Sequence, residues 1–126
     1  MLVLVYEDDK AILENVCEIF AMDGHGVIGQ TRWQPDPILR NAPDLIIVDL
    51  MLHNHSGITW AEHIRRDWKG PMIAISADGN LLNIALRSGF FAAGVAKPFD
   101  IVDLLQIVHQ VMAERTIVDI RDDLSR

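Results

Sequence analysis

The order of short apolar runs and helical patterns predicts a single α/β domain: a doubly wound, five-stranded parallel sheet with helices on both faces, a (βα)5 chain. Three observations carry this reading. Strand-like apolar runs at residues 2–6, 27–28, 45–48, 72–75 and 95–96 alternate with segments whose apolar residues recur every three or four positions. The central runs are continuously apolar, as in strands covered on both faces. Four of the runs stop at polar groups: Glu7-Asp8-Asp9, Asp49, Ser76 and Lys97-Pro98. In a parallel sheet the carboxyl ends of the strands line one crevice, and ligands bind there.

The elements follow in order. After the run at 2–6, Asp9 is an N-cap candidate. Ile12, Val16, Ile19 and Phe20 then form a helical stripe that Asp23-Gly24 ends, since Gly accepts the left-handed conformation at a helix C-terminus. Residues 27–28 are a short strand. Pro35 and Pro37 exclude a long helix in 33–43, although Asp36-Pro37 could open a short one with Pro in its first turn. The run at 45–48 ends at Asp49, and residues 51–57 read as a loop. A helix over 59–68 places Trp60, Ile64 and Trp68 on one face until Gly70-Pro71 breaks it. Residues 72–75 lead to Ser76. Asp78-Gly79-Asn80 opens a helix of about two turns that Gly89 closes. Residues 95–96 precede Lys97-Pro98. The last helix has Asp100 as N-cap, Asp103 three residues on, and a buried stripe of Ile101, Leu104, Leu105, Val108, Val111 and Met112.

The chain has 126 residues, half of them hydrophobic, enough for one domain with one core. A formal charge of -7 argues against nucleic acid and against an anionic membrane surface, both of which need clustered Lys and Arg. The single Cys17 permits no internal disulfide and fits a reducing compartment; within a helical pattern it reads as a small buried hydrophobe. The N-terminus lacks the basic flank of a signal peptide, and no apolar run approaches the ~20 residues that span a bilayer. A cytoplasmic location is expected.

Chemistry concentrates at the strand ends. Glu7 and Asp8, joined by Asp49 from another strand, would repel one another in a partly desolvated crevice. A hard cation such as Mg²⁺ resolves this, binding through carboxylates and substrate phosphate. Asp49 is a candidate nucleophile, able to form an acyl phosphate. Phosphoryl transfer depends almost wholly on positioning and charge neutralisation, so the Lys97 ammonium and Ser76 hydroxyl suit phosphoryl oxygens. Taken singly, each group has a plainer reading: a solvated acidic turn, a turn aspartate, a strand-end hydroxyl, a surface lysine. Their value lies in the set. His53 and His55 share one loop, where solvated side chains outweigh a transition-metal site.

These blocks resemble the receiver domain of two-component response regulators, with its CheY-like, flavodoxin-like fold, over residues 1–113. Val5-Tyr6-Glu7-Asp8-Asp9 is similar to the family's acidic opening. The stretch Asp44-Leu45-Ile46-Ile47-Val48-Asp49-Leu50-Met51-Leu52 with Ser56-Gly57 resembles its phosphoacceptor block, Ile73-Ala74-Ile75-Ser76-Ala77 its Ser/Thr strand, and Val95-Ala96-Lys97-Pro98-Phe99 its lysine motif. The resemblance implies Asp49 as phosphoacceptor, and Mg²⁺ on Asp8, Asp49, Glu7 (through water) and the Met51 carbonyl. It implies Ser76 and Lys97 on phosphoryl oxygens, and a cis Lys97-Pro98 bond. The donor would be a phosphohistidine on a sensor histidine kinase or a histidine phosphotransfer protein. Such a domain catalyses its own phosphorylation and slow dephosphorylation, yet acts mainly as a switch of protein–protein contacts with an output protein. Met51, two beyond Asp49, cannot orient an attacking water, which favours slow phosphoryl loss.

The chain departs from the family pattern in places. Gly94 stands three before the lysine, where receivers place an aromatic switch. Phe90-Phe91-Ala92-Ala93 is either an exposed partner surface or ordinary core. Residues 114–126 are a C-terminal tail, a helix extension or disordered, too short for an output domain, so a stand-alone receiver is expected; pairing with a second copy stays open. The alternative is a degenerate receiver acting as a phosphorylation-independent binding module. An Asp-nucleophile phosphatase would need a second Asp where Met51 stands. A cobalamin or flavin binder would need motifs this chain lacks.

Overall fold

The computed structural model describes the backbone of residues 1–124, and the side chains of all of these except Asp36, Leu39 and residues 116–124. Seven strands and five helices follow one another as β1 (Leu2–Tyr6), α1 (Lys10–Met22), β2 (Gly26–Gln30), α2 (Asp36–Asn41), β3 (Leu45–Asp49), β4 (Met51–Leu52), β5 (His55–Ser56), α3 (Gly57–Ile64), β6 (Met72–Ser76), α4 (Gly79–Arg87), β7 (Ala93–Ala96) and α5 (Ile101–Leu124). Five strands form one parallel sheet in the order β2-β1-β3-β6-β7, as the sequence predicts.

The sheet divides the interior by side-chain parity, because successive residues of a strand face opposite sides. Val3 and Val5, Leu45 and Ile47, Ile73 and Ile75 pack with Val16 and Phe20 of α1 and with Leu104, Val108 and Val111 of α5. Leu4 and Tyr6, Ile46 and Val48, Ala74 pack with Ile38 of α2, Ala61 and Ile64 of α3, and Leu82 and Ala85 of α4. Both faces are covered, which is why β1, β3 and β6 read as unbroken apolar runs.

The helix starts follow local chemistry. Asp9 caps α1 by accepting from the amides of Ala11 and Ile12, Ser56 caps α3 through Thr59, and Asp78 caps α4 through Asn80 and Leu81. The Asp100 carboxylate accepts from Val102 at the start of α5. Pro sits in the first turn of the short α2.

Three expectations need correction. The third helix covers Gly57–Ile64 rather than 59–68, because Ser56 caps it two residues early and turns follow Ile64. The segment after Asp49 holds a small β4–β5 hairpin, Met51 paired with Ser56 and Leu52 with His55. Its two connecting residues, His53 and Asn54, have φ of 48° and 63°. Both residue types tolerate that left-handed region, which two-residue hairpins require. Cys17 is only partly buried. Phe91 is core, 6% exposed, and Phe90 packs against the same cluster. Exposed apolar side chains on α4 are Ile84 and Leu86 instead.

Candidate functional site: an acidic pocket at the strand ends

The pocket lies where the sheet order reverses, beside the neighbouring strands β1 and β3 whose following helices, α1 and α3, lie on opposite faces. Glu7 follows β1, Asp49 ends β3, Ser76 ends β6, and Lys97 follows β7. Parallel registry holds these ends level: Asp49 pairs with Ile75, and Ser76 with Ala96. The Lys97 amide then donates to the Ser76 carbonyl at 2.8 Å, so the lysine turns in over the sheet end. The Lys97-Pro98 bond is cis. Gly57 permits the close approach of α3 to the same edge: a Cβ there would stand 2.7 Å from the Asp49 carbonyl oxygen and 2.8 Å from the Leu50 Cα.

The charges converge tightly. Lys97 Nζ lies 3.0 Å from Asp49 Oδ2 and 2.7 Å from Glu7 Oε2. Asp49 Oδ1 accepts from the Met51 amide at 3.0 Å, and Glu7 Oε1 from the Asp9 amide at 3.0 Å. Asp8 is half-buried, and its Oδ2 accepts from the His53 amide at 3.2 Å. The Ser76 hydroxyl accepts from the Asp78 amide at 3.0 Å. Glu7, Asp49 and Ser76 are buried. Ligand oxygens of Glu7, Asp8 and Asp49 all lie within 4.8 Å of one another.

Burial and charge pull the ionisable groups in opposed directions. Desolvation pushes the Glu7 carboxyl up to about 7, despite the Lys97 ammonium and the Asp9 amide, and the Asp49 charge adds to the rise. For Lys97 desolvation acts downward, but Glu7 and Asp49 together outweigh it and hold the ammonium above its ordinary value. The two shifts describe one situation: burial disfavours the Glu7 charge, while the surrounding carboxylates favour the Lys97 ammonium. Glu7 Oε2 is buried, and the Lys97 ammonium 2.7 Å away is its ion-pair partner. The all-oxygen donor set of Glu7, Asp8 and Asp49, gathered within 4.8 Å, fits a hard dication of the Mg²⁺ type.

Of the strand-end residues singled out in the sequence, Glu7, Asp8, Asp49 and Lys97 come together here, Ser76 ends the adjacent strand, and Asp9 caps α1. Met51 contributes its amide to Asp49, and its side chain is 43% exposed. Sequence reasoning missed the His53 amide as a partner of Asp8. The signal available was the His53-Asn54 pair, two residue types suited to a hairpin turn that folds back over the pocket. It missed also an aromatic column beside the site. Tyr6 donates to the Gln34 carbonyl at 2.6 Å, and its ring lies 5.2 Å from Trp33. Trp33 stacks on Trp60 at 5.5 Å and 29°, and Trp60 on His63 at 5.6 Å and 27°.

At the Gly94 position, where an aromatic was expected, the space is occupied from α4. A Cβ on Gly94 would meet Leu82 Cδ2 at 3.2 Å and Leu86 Cδ1 at 3.6 Å.

Comparison with known proteins agrees with this geometry. The family model "Response regulator receiver domain" matches residues 3–109. The response regulator ArlR of Staphylococcus saprophyticus is 31% identical over 125 residues, 94% of this chain and 57% of the relative. The transcriptional regulatory protein PdtaR of Mycobacterium tuberculosis is 26% identical over 84% of this chain and 54% of the relative. This chain spans about half the length of the curated relatives it matches. Among solved structures, the receiver domain of the Francisella response regulator 1452 superposes with a TM-score of 0.80 at 26% identity, covering 90% of this chain and 98% of that one. The Klebsiella pneumoniae RstA receiver domain, activated with BeF3, gives 0.78 at 21% identity over 87% of this chain and 97% of that one, a likeness of fold alone.

Proposed function

The chain belongs to the response regulator receiver family, and on that premise we propose that Asp49 accepts a phosphoryl group from a phosphohistidine and thereby switches the chain's contacts with an output protein. The Asp49 carboxylate attacks phosphorus, the P–N bond to the donor imidazole breaks, and an acyl phosphate forms. The donor is a sensor histidine kinase or a histidine phosphotransfer protein. Asp8, Asp49 and the Met51 carbonyl, with Glu7 through water, are the residues that would hold Mg²⁺. When bound, that ion supplies positive charge for the phosphoryl oxygens. Lys97 stays charged and can shift from the Asp49 carboxylate to a phosphoryl oxygen. Ser76 Oγ, now accepting from Asp78, has a hydroxyl proton to offer the same group.

The observation that carries this reading is the Lys97 ammonium bridging Asp49 and Glu7 inside a cluster of carboxylates. A phosphorylation-independent binding module is not favoured, since such a module gains nothing from a buried, unevenly balanced charge cluster, which is costly to keep. A location in the cytoplasm fits the family, and among the described residues no helix is long and apolar enough to cross a membrane.

Incubation with Mg²⁺ and acetyl phosphate, read by intact mass, tests the proposal. One phosphoryl group is expected on the wild-type chain and none on Asp49→Asn or when Mg²⁺ is chelated. Unchanged labelling of Asp49→Asn would remove Asp49 from its role.

A further inference from the structure

A second ligand-like cluster lies at the opposite end of the sheet. His25 directly precedes β2, whose first residue, Gly26, pairs with Leu2, while the acidic pocket follows Tyr6. Four strand steps of ~3.3 Å separate the two ends, roughly 13 Å. Here three separate segments converge: Asp23 closes α1, His25 leads into β2, and His109 comes from α5.

We propose that Asp23, His25 and His109 form a site for a borderline transition-metal dication of the zinc class. Both imidazoles aim the same nitrogen at one oxygen: His25 Nε2 lies 2.8 Å from Asp23 Oδ2, and His109 Nε2 lies 2.7 Å from it. One ligand atom from each residue falls within a common 4.8 Å. The rings stand 6.5 Å apart at 69°, so their nitrogens approach from different directions, as a tetrahedral ion requires. His25 is held in place, its ring 6.2 Å from Phe20 and its Nδ1 3.2 Å from the Met1 amino nitrogen. That leaves Nε2 as the nitrogen turned toward Asp23.

The donor set separates this site from the acidic pocket. Two imidazoles and one carboxylate suit Zn²⁺, Cu²⁺ or Ni²⁺, whereas an all-oxygen pocket suits Mg²⁺. Bonds of 2.0–2.2 Å to a tetrahedral ion place ligand atoms about 3.3 Å apart. The two nitrogen–oxygen separations, 2.8 and 2.7 Å, need to open by about half an ångström. The His109 side chain is 54% exposed and Asp23 32%, so solvent reaches the fourth position. Occupied, the site would fasten the end of α1 to α5.

The test is a zinc titration of the full chain in excess Mg²⁺, which keeps the acidic pocket occupied, by isothermal calorimetry. One zinc per chain is expected. His109→Ala should weaken binding on the order of a hundredfold, since even outer partners of metal ligands are worth about 10–100-fold. It should also abolish the zinc-induced rise in melting temperature and the visible spectrum of bound Co²⁺. Exposure of His109 makes that variant safe to fold, and Asp23→Asn provides an independent second. Asp49→Asn should bind zinc as the wild type does. No zinc uptake by the wild type, equal affinity in His109→Ala, or loss of binding in Asp49→Asn would overturn the assignment.

Discussion

The β7–α4 face lies two residues back along the sheet from the acidic pocket, Gly94 pairing with Ala74 where Ser76 ends β6, yet the two stand differently to the family pattern. In the pocket Lys97 bridges Glu7 and Asp49, Asp8 lies within 4.8 Å of both carboxylates, and Ser76 stands at the next strand end. On the adjacent face the aromatic position is Gly94, and Leu82 and Leu86 of α4 settle over it. The residues proposed to receive a phosphoryl group and the face where receivers place an aromatic are therefore built on different terms. The first is a matter of charge at fixed points and admits few substitutes. The second is a matter of volume between a helix and a strand, which leucines from the helix can fill in place of a ring on the strand.

The sharpest way to break this contrast is through charge. Lys97→Met should destabilise the metal-free protein by about 3 kcal/mol, the low end for removing one partner of a buried ion pair, because Glu7 can take up a proton in compensation. Mg²⁺ should restore part of the loss, as read by urea unfolding with and without chelator. A cost unchanged by Mg²⁺ would show that Lys97 acts by packing rather than by neutralising the carboxylates.

Volume governs the second region. Leu82→Ala should cost about 2–3 kcal/mol, as for a buried leucine. Gly94→Tyr should cost about 1–3 kcal/mol by overpacking. The double variant should cost less than the sum, since each change makes room for the other. Strict additivity would mean that the leucines do not occupy the ring's place. All three variants should still take up phosphate from acetyl phosphate.

A pH dependence confined to the pocket is expected as well. The Glu7 carboxyl is raised from its ordinary 4.5 to about 7. A raised carboxyl contributes stability that is full below the unfolded value and is lost as pH climbs through about 7. In chelator, unfolding free energy should therefore fall between those two pH values. The Mg²⁺ affinity should drop roughly tenfold per pH unit below the upper one, because the ion must displace the proton. A calorimetric affinity flat across that window would place the proton elsewhere.

Much of this was legible in the sequence, and the reasons differ by residue. Strand ends could be read because β1, β3 and β6 are covered on both faces and so carry uninterrupted apolar runs. Their polar stops, Glu7, Asp49 and Ser76, then fell level by parallel registry. Caps at Asp9, Asp78 and Asp100 were readable because a carboxylate bonding the next amides is a local interaction. What escaped was non-local or compensatory. The β4–β5 hairpin is two residues per strand, too short for periodicity to register. The filling of the Gly94 site depends on how far α4 settles on β7, which no spacing along the chain encodes. The convergence of His25 and His109 spans 84 positions and exists only in three dimensions.

The indole column beside the pocket gives the molecule an optical property. Trp33 and Trp60 hold their rings 5.5 Å apart and 29° from parallel, so their electronic transitions couple instead of absorbing independently. Tyr6, the residue preceding Glu7, abuts both of them. One peptide link joins this aromatic group to the residue that carries the Glu7 carboxylate. Near-ultraviolet circular dichroism and intrinsic emission of the unlabelled chain thus become gauges of what the crevice holds.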